Sequence, residues 1–194
     1  MKIRFSTGAF FAVAFILFGL FSCRDPLVSL ASLPDDYSLT DAKADNCVVF
    51  EDGDITAGQT SWDDFEKNCR SGKKSSVRLA YYYTLGDKEK YDPALYEEIK
   101  DDYPVLHMAE VVYDGKKYSY YSIEDGTLYR SSYAYMKKYE GNPRSESAVF
   151  SDYTYYVLVN DDFVTWEDIE HGMFNILPCD KIIIYENVIC IERV

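Results

Sequence analysis

His107, His171, five cysteines, nineteen tyrosines and a surplus of carboxylates are the side chains here with reactive or binding chemistry. The histidines offer little. His107 lies in an apolar run expected to be a strand, where packing or an edge position accounts for an imidazole. His171 ends an expected helix, where an imidazolium interacts favourably with the C-terminal dipole. Glu167 and His171, four apart, could share a helical face, but a zinc site takes three or four ligands and the His-Glu-x-x-His frame is absent. We expect no metal centre and no bound cofactor.

The acidic loop Asp52-Gly53-Asp54-Ile55-Thr56-Ala57-Gly58 offers oxygen ligands at alternate positions, the pattern calcium takes. It fails in detail. The sixth position is Ala57 where glycine is needed, the twelfth is Asp63 in place of glutamate, and the preceding segment reads as a strand, so a solvated hairpin turn is expected. A glycine-rich phosphate loop, Gly-x-Ser-x-Gly and Cys-x-x-Cys are all absent, and no catalytic residue is assigned.

Cys47, Cys69, Cys179 and Cys190 are an even number, which in an exported chain allows three pairings. If Glu186-Asn187 is a tight turn, Cys190 faces Ile183 and Cys179 faces Val194, so those two do not bond. A Cys47 to Cys69 bridge is open if the helix carrying Cys69 folds back on the first strand. Buried free thiols are the alternative.

The tyrosines recur in alternating pairs, Tyr81 with Tyr83, Tyr118 with Tyr120, Tyr133 with Tyr135 and Tyr153 with Tyr155, each on one face of an expected strand. If one face is core, the other presents phenols to water, and Tyr118, Tyr120, Tyr133 and Tyr135 form the expected binding surface. The simpler alternative is that tyrosine suits half-buried strands.

The N-terminus gives the chain an address. Lys2 and Arg4 precede fourteen residues, Gly8 to Phe21, that fit the apolar region of a cleaved signal but fall short of the roughly twenty needed to span a bilayer. Leu20-Phe21-Ser22-Cys23 is similar to the lipobox of bacterial lipoproteins, although Phe21 stands where a small residue is usual. We therefore expect a lipoprotein-type signal peptide over 1–22 and lipidation at Cys23. The protein would then be held to the lipid bilayer by its acylated N-terminus on the extracytoplasmic face of the cell membrane, two chains giving a firmer hold than one. Residues 23–36, with Pro26 and Pro34, are expected to be a tether, and 37–194 a single domain.

The chain carries a net charge of −13, and loss of Lys2 and Arg4 takes it to −15. No basic stripe offsets the carboxylates, so nucleic acid is excluded as a partner. A hydrophobic content of 47% excludes a disordered acidic tail.

Several elements must position these groups. Ser38 to Ala44 and Asp92 to Lys100, with Pro93, read as short capped helices; Thr60 and Ser61, three before Asp63 and Asp64, open a longer one that Gly72 ends. Strands are expected at Cys47 to Phe50, Ser75 to Thr84, Val105 to Tyr113, Lys117 to Ile123, Thr127 to Met136 and Tyr153 to Val159, with Asp-Gly hairpin signals at 52, 114 and 125. A helix from Thr165 and two strands around Glu186-Asn187 close the chain. The order argues for an α+β fold, a twisted antiparallel sheet with two to four short helices packed mainly on one face. Trp62, Phe65, Val77, Leu79, Val111, Val157, Trp166, Ile169 and Ile183 are the expected core.

Cys47-Val48-Val49, Trp62-Asp63-Asp64-Phe65, Ser76 to Thr84, Val112-Tyr113-Asp114-Gly115 and Tyr156 to Asp162 with Thr165-Trp166 follow one another in an order that resembles a known group. These are small uncharacterised lipoproteins of Gram-positive, clostridia-like gut bacteria, related to a domain of unknown function found in bacillar lipoproteins. The resemblance spans about residues 37–190 and implies the membrane address, with no activity attached.

Three functions fit this reading. The foremost is a non-catalytic binding or envelope-associated module whose partner is an envelope or extracellular protein or glycan. A glycan hydrolase would need two carboxylates about 5–9 Å apart in a cleft. A small-ligand or cation sensor is the third.

Overall fold

The structure is a computed structural model and describes residues 26–124, 126–141, 150–173 and 181–190. Cys23 and the signal region lie outside the described residues, as does Cys179.

Short-range signals act as expected. Ser38 caps α2 (Leu39–Ala44), which follows α1 (Pro26–Ala31): its hydroxyl accepts the Asp41 N–H while the Asp41 carboxylate accepts the Ser38 N–H at 2.9 Å. Strands β1 (Val48–Glu51) and β2 (Asp54–Ala57) turn at Asp52 and Gly53, both at positive φ. Helix α3 (Gln59–Arg70) ends in a Schellman motif, Lys73 N–H donating to the Asn68 carbonyl and Gly72 N–H to that of Cys69.

The start of α3 differs from expectation. Its N-cap is Gly58 at φ 78°, not Thr60 or Ser61, because the chain there runs hard against β1: a Cβ on Gly58 would lie 2.1 Å from the Cys47 carbonyl oxygen. The Ser61 hydroxyl instead donates to the Asn46 carbonyl at 2.9 Å, tying helix to strand.

Next come β3 (Ser75–Tyr83), α4 (Pro93–Ile99, capped by Asp92), β4 (Val105–Tyr113), β5 (Tyr118–Glu124) and β6 (Thr127–Tyr133). They build a six-stranded sheet of order β2-β1-β3-β4-β5-β6, antiparallel except that β1 and β3, joined through α3, run parallel. A second sheet holds β7 (Tyr135–Gly141), β8 (Phe150–Val159) and β9 (Lys181–Cys190), with α5 (Trp166–Met173) between the last two strands. The α+β class therefore holds.

Three expected strands change form: one splits and two merge. Thr127 to Met136 is broken at Ala134, whose N–H donates to Asn160 Oδ1 at 3.1 Å, and its halves enter different sheets. Glu186-Asn187 is no turn: Glu186 pairs with Tyr155 and Asn187 with Thr154, so the long β8 carries β9 as one strand. The pairing arithmetic for Cys190 falls with that turn.

Strand alternation divides the core into layers. Val48, Phe50, Val77, Leu79 and Val111 face α3 and the second sheet, meeting Trp62, Phe65, Tyr156, Leu158 and Ile184. On the opposite face of the large sheet, Val49, Ala80 and Met108 meet Leu30 of α1 and Ala42 of α2, so helices cover both faces. Tyr155, Val157, Val159 and Ile169 fill a third cluster beneath α5. Of the expected core, Trp166 and Ile183 are only half-buried; the other seven residues are buried.

The tether expectation is corrected by α1. Leu30 is 1% exposed and Leu33 packs beside it, so this part of 23–36 belongs to the folded body.

Candidate functional site

The four tyrosines expected to bind do not form one exposed surface: Tyr118 and Tyr135 border one hollow, whereas Tyr120 lines another and Tyr133 is buried. Tyr118 and Tyr133 sit opposite each other on β5 and β6, 9% and 4% exposed, inside the inter-sheet core. Tyr118 and Tyr120 do share a face, but it is the face that the second sheet covers. Burial pushes the Tyr118 phenol and the adjoining Cys69 thiol up, Cys69 to about 12. Tyr135, on β7, is exposed and borders with Tyr113 a hollow of about 240 Å³. Tyr120 is half-buried and looks into a different and larger groove.

The Cys47 to Cys69 bridge that the sequence left open does not form, and the alternative of buried free thiols describes both residues. Cys47 alternates with Val48 and so points with Val49 towards α1 and α2, whereas Cys69 lies on α3 across the sheet. Both thiols are free and buried, and burial raises the Cys47 pKa although the Tyr37 hydroxyl contacts its sulfur at 3.8 Å.

Many tyrosines serve as inter-sheet contacts. Trp62 stacks on Tyr185 with ring centroids 4.4 Å apart and meets Tyr156 edge-on at 4.9 Å. Their hydroxyls are satisfied across the same boundary: Tyr156 donates to Glu66 Oε1 at 2.7 Å, Tyr185 to Gln59 Oε1 at 3.0 Å, and Tyr81 to the Ile184 carbonyl at 3.1 Å. The phenol suits this seam because it buries a ring and still supplies a polar tip.

The groove that Tyr120 enters encloses about 400 Å³ at the ends of β3, β4 and β5. Tyr81 and Tyr83 come from β3, His107 from β4, Tyr120 and Ser122 from β5, and Ile183 of β9 forms the far wall. The ladder explains the grouping: Tyr81 lies opposite His107 and Val111 opposite Tyr120, so these side chains emerge from one face. Tyr83 is 43% exposed, with its ring 6.0 Å from the His107 imidazole. Rings, hydroxyls and one imidazole can stack on and hydrogen-bond a ligand. The described lining residues include no carboxylate, so the paired acids of a glycan hydrolase are not found there.

The Asp52 loop is held internally, its carboxylate accepting the Thr84 N–H at 2.7 Å and the Thr84 hydroxyl at 2.6 Å. Among the described residues no group of three His, Cys, Asp or Glu could hold a metal ion, and no helix is long and apolar enough to cross a membrane. His171 lies in α5. The sequence did not mark His107 as a groove residue: its alternation with Val105 was legible, but its opposition to Tyr81 arises only in the β3–β4 ladder. The chain matches no protein-family model, no curated protein and no solved structure.

Proposed function

We infer that this chain is an exported lipoprotein, acylated at Cys23 on the outer face of the cell membrane, whose domain binds an envelope ligand and performs no catalysis. The observation that carries the binding half is the groove lined by Tyr81, Tyr83, His107, Tyr120 and Ser122, where Tyr83 is 43% exposed while most other tyrosines are spent on packing. The lipoprotein half rests on the charged start, the apolar run and the tetrapeptide ending at Cys23, together with the resemblance to clostridia-like lipoproteins.

With a formal charge of −13 and no Lys or Arg among the described residues that line the groove, the ligand is neutral or basic: a glycan, or a peptide segment of an envelope protein. Aromatic faces stack on sugar or side-chain surfaces, and Ser122 and His107 supply directional hydrogen bonds.

The test has two arms in an export-competent bacterium. Cys23→Ser should move the protein from the membrane fraction to the medium or to an unprocessed band. The wild-type chain should begin at Cys23 and carry acyl mass. Unchanged fractionation and mass would refute the anchor. In the second arm Tyr83→Ala should lower retention on neutral glycan or basic peptide supports about tenfold or more, and equal retention would refute the groove.

A further inference from the structure

The β4–β5 ladder stops at Ala109 opposite Ser122. Strand β3 stays paired with β4 out to Tyr83 opposite Val105, and β5 stays paired with β6 out to Glu124 opposite Thr127. The large sheet is therefore forked, with residues 105–108 on one prong and the end of β5 on the other. The aromatic groove opens on one face of this fork. On the other face lies a second groove of about 390 Å³, bordered by Leu30 and Leu33 beside α1, Leu106 of β4 and Leu128 of β6. Met108 and Ile123, one on each prong, line both grooves.

The two grooves differ in chemistry. One offers phenol, imidazole and hydroxyl groups; the other offers leucines, with Asp35 the one formally charged group among its described lining residues. Among the described residues neither is lined by Lys or Arg, and the chain as a whole is strongly acidic, so an anionic headgroup would meet repulsion without a counter-charge. Met108 is unbranched and adapts its shape to what lies beside it.

We propose that the fork binds a neutral single-chain amphiphile. Its polar head hydrogen-bonds among Tyr83, His107 and Ser122, and its alkyl chain passes between Met108 and Ile123 to lie against Leu33, Leu106 and Leu128. This rests on the reading of the aromatic groove as a ligand site and adds to it the class of ligand. A protein held at a bilayer surface meets such molecules continually.

Alkyl glucosides from ethyl to decyl, each below its micelle concentration, provide the probe, titrated calorimetrically into the processed chain, residues 23–194, carrying Cys23→Ser. Affinity should climb by up to about fourfold per added methylene until the leucine groove is full. Leu128→Asp should flatten that climb, and Tyr83→Ala should weaken every member about tenfold. Phe163→Ser, at a 90% exposed position lining neither groove, should change nothing. Ethyl and decyl glucosides binding equally would overturn the fork and leave the aromatic groove as a head-only site. A climb that survives Leu128→Asp would place the tail elsewhere and also overturn it. If no member of the series binds, the amphiphile is refuted, while the groove itself stands or falls on the retention of glycans and peptides described above.

Discussion

Trp62 of α3 lies flat on Tyr185 of β9, ring centroids 4.4 Å apart and planes 27° from parallel, so one helix of the large sheet's core is clamped to the second sheet. Trp62 is 1% exposed and also meets Phe65 and Tyr156. Trp62→Ala should therefore cost about 3–5 kcal/mol in urea unfolding. Tyr185→Phe keeps the ring and loses the hydroxyl that bonds Gln59, so its cost should be about 1 kcal/mol. Equal costs would mean that the hydroxyl, not the stacked ring, joins the layers.

The free thiols give a pH dependence with a definite sign. Burial raises the folded-state pKa of Cys69 to about 12, above its unfolded value near 9. The folded protein then holds a proton that the unfolded chain releases, so the associated stability is intact below about pH 9 and is lost as pH rises towards 12. The loss is about 1 kcal/mol per pH unit within that window. Cys69→Ala should reduce the slope of unfolding free energy between pH 9 and 10; Cys47, whose pKa burial also raises, keeps part of it there, as Tyr118 and Tyr156 do above pH 10. In the native protein at pH 8 neither Cys47 nor Cys69 should alkylate at an appreciable rate, and both should do so in denaturant without reductant. An identical pH slope in Cys69→Ala would contradict the assignment.

Gly58 and Gly53 separate two causes of strain. Both have positive φ, but an added Cβ meets nothing within 4 Å at Gly53 and the Cys47 carbonyl at Gly58. Gly53→Ala should cost about 1–2 kcal/mol from the backbone alone. Gly58→Ala must also displace β1 from the start of α3 and should cost clearly more, measured by urea midpoints of the two variants.

Elements written in neighbouring residues were legible: the Ser38 to Asp41 and Thr165 to Asp168 caps, Pro93 after Asp92, and the Asp114-Gly115 turn all depend on contacts within three residues. What failed depends on distant partners. Alternation put Tyr118 and Tyr120 on one face but could not say that a second sheet would cover it. The break at Ala134 depends on Asn160, and the unbroken β9 on the length of β8, both far away in the chain. The candidate groove was illegible for the same reason: Tyr81, His107 and Tyr120 meet only through ladders between β3, β4 and β5.

The central claim is that the groove at Tyr83 and His107 meets a ligand in the envelope. It is tested most directly by placing the photo-crosslinking residue p-benzoylphenylalanine at position 83, or at position 163 as a control, in the exported chain and irradiating intact cells. Tyr83 is 43% exposed at the groove, and Phe163 is 90% exposed outside it, so both accept the larger ring. A discrete adduct should form from position 83 and be weakened by His107→Ala, with none from position 163. Adducts of equal yield at both positions, or an adduct at 163 alone, would contradict the claim.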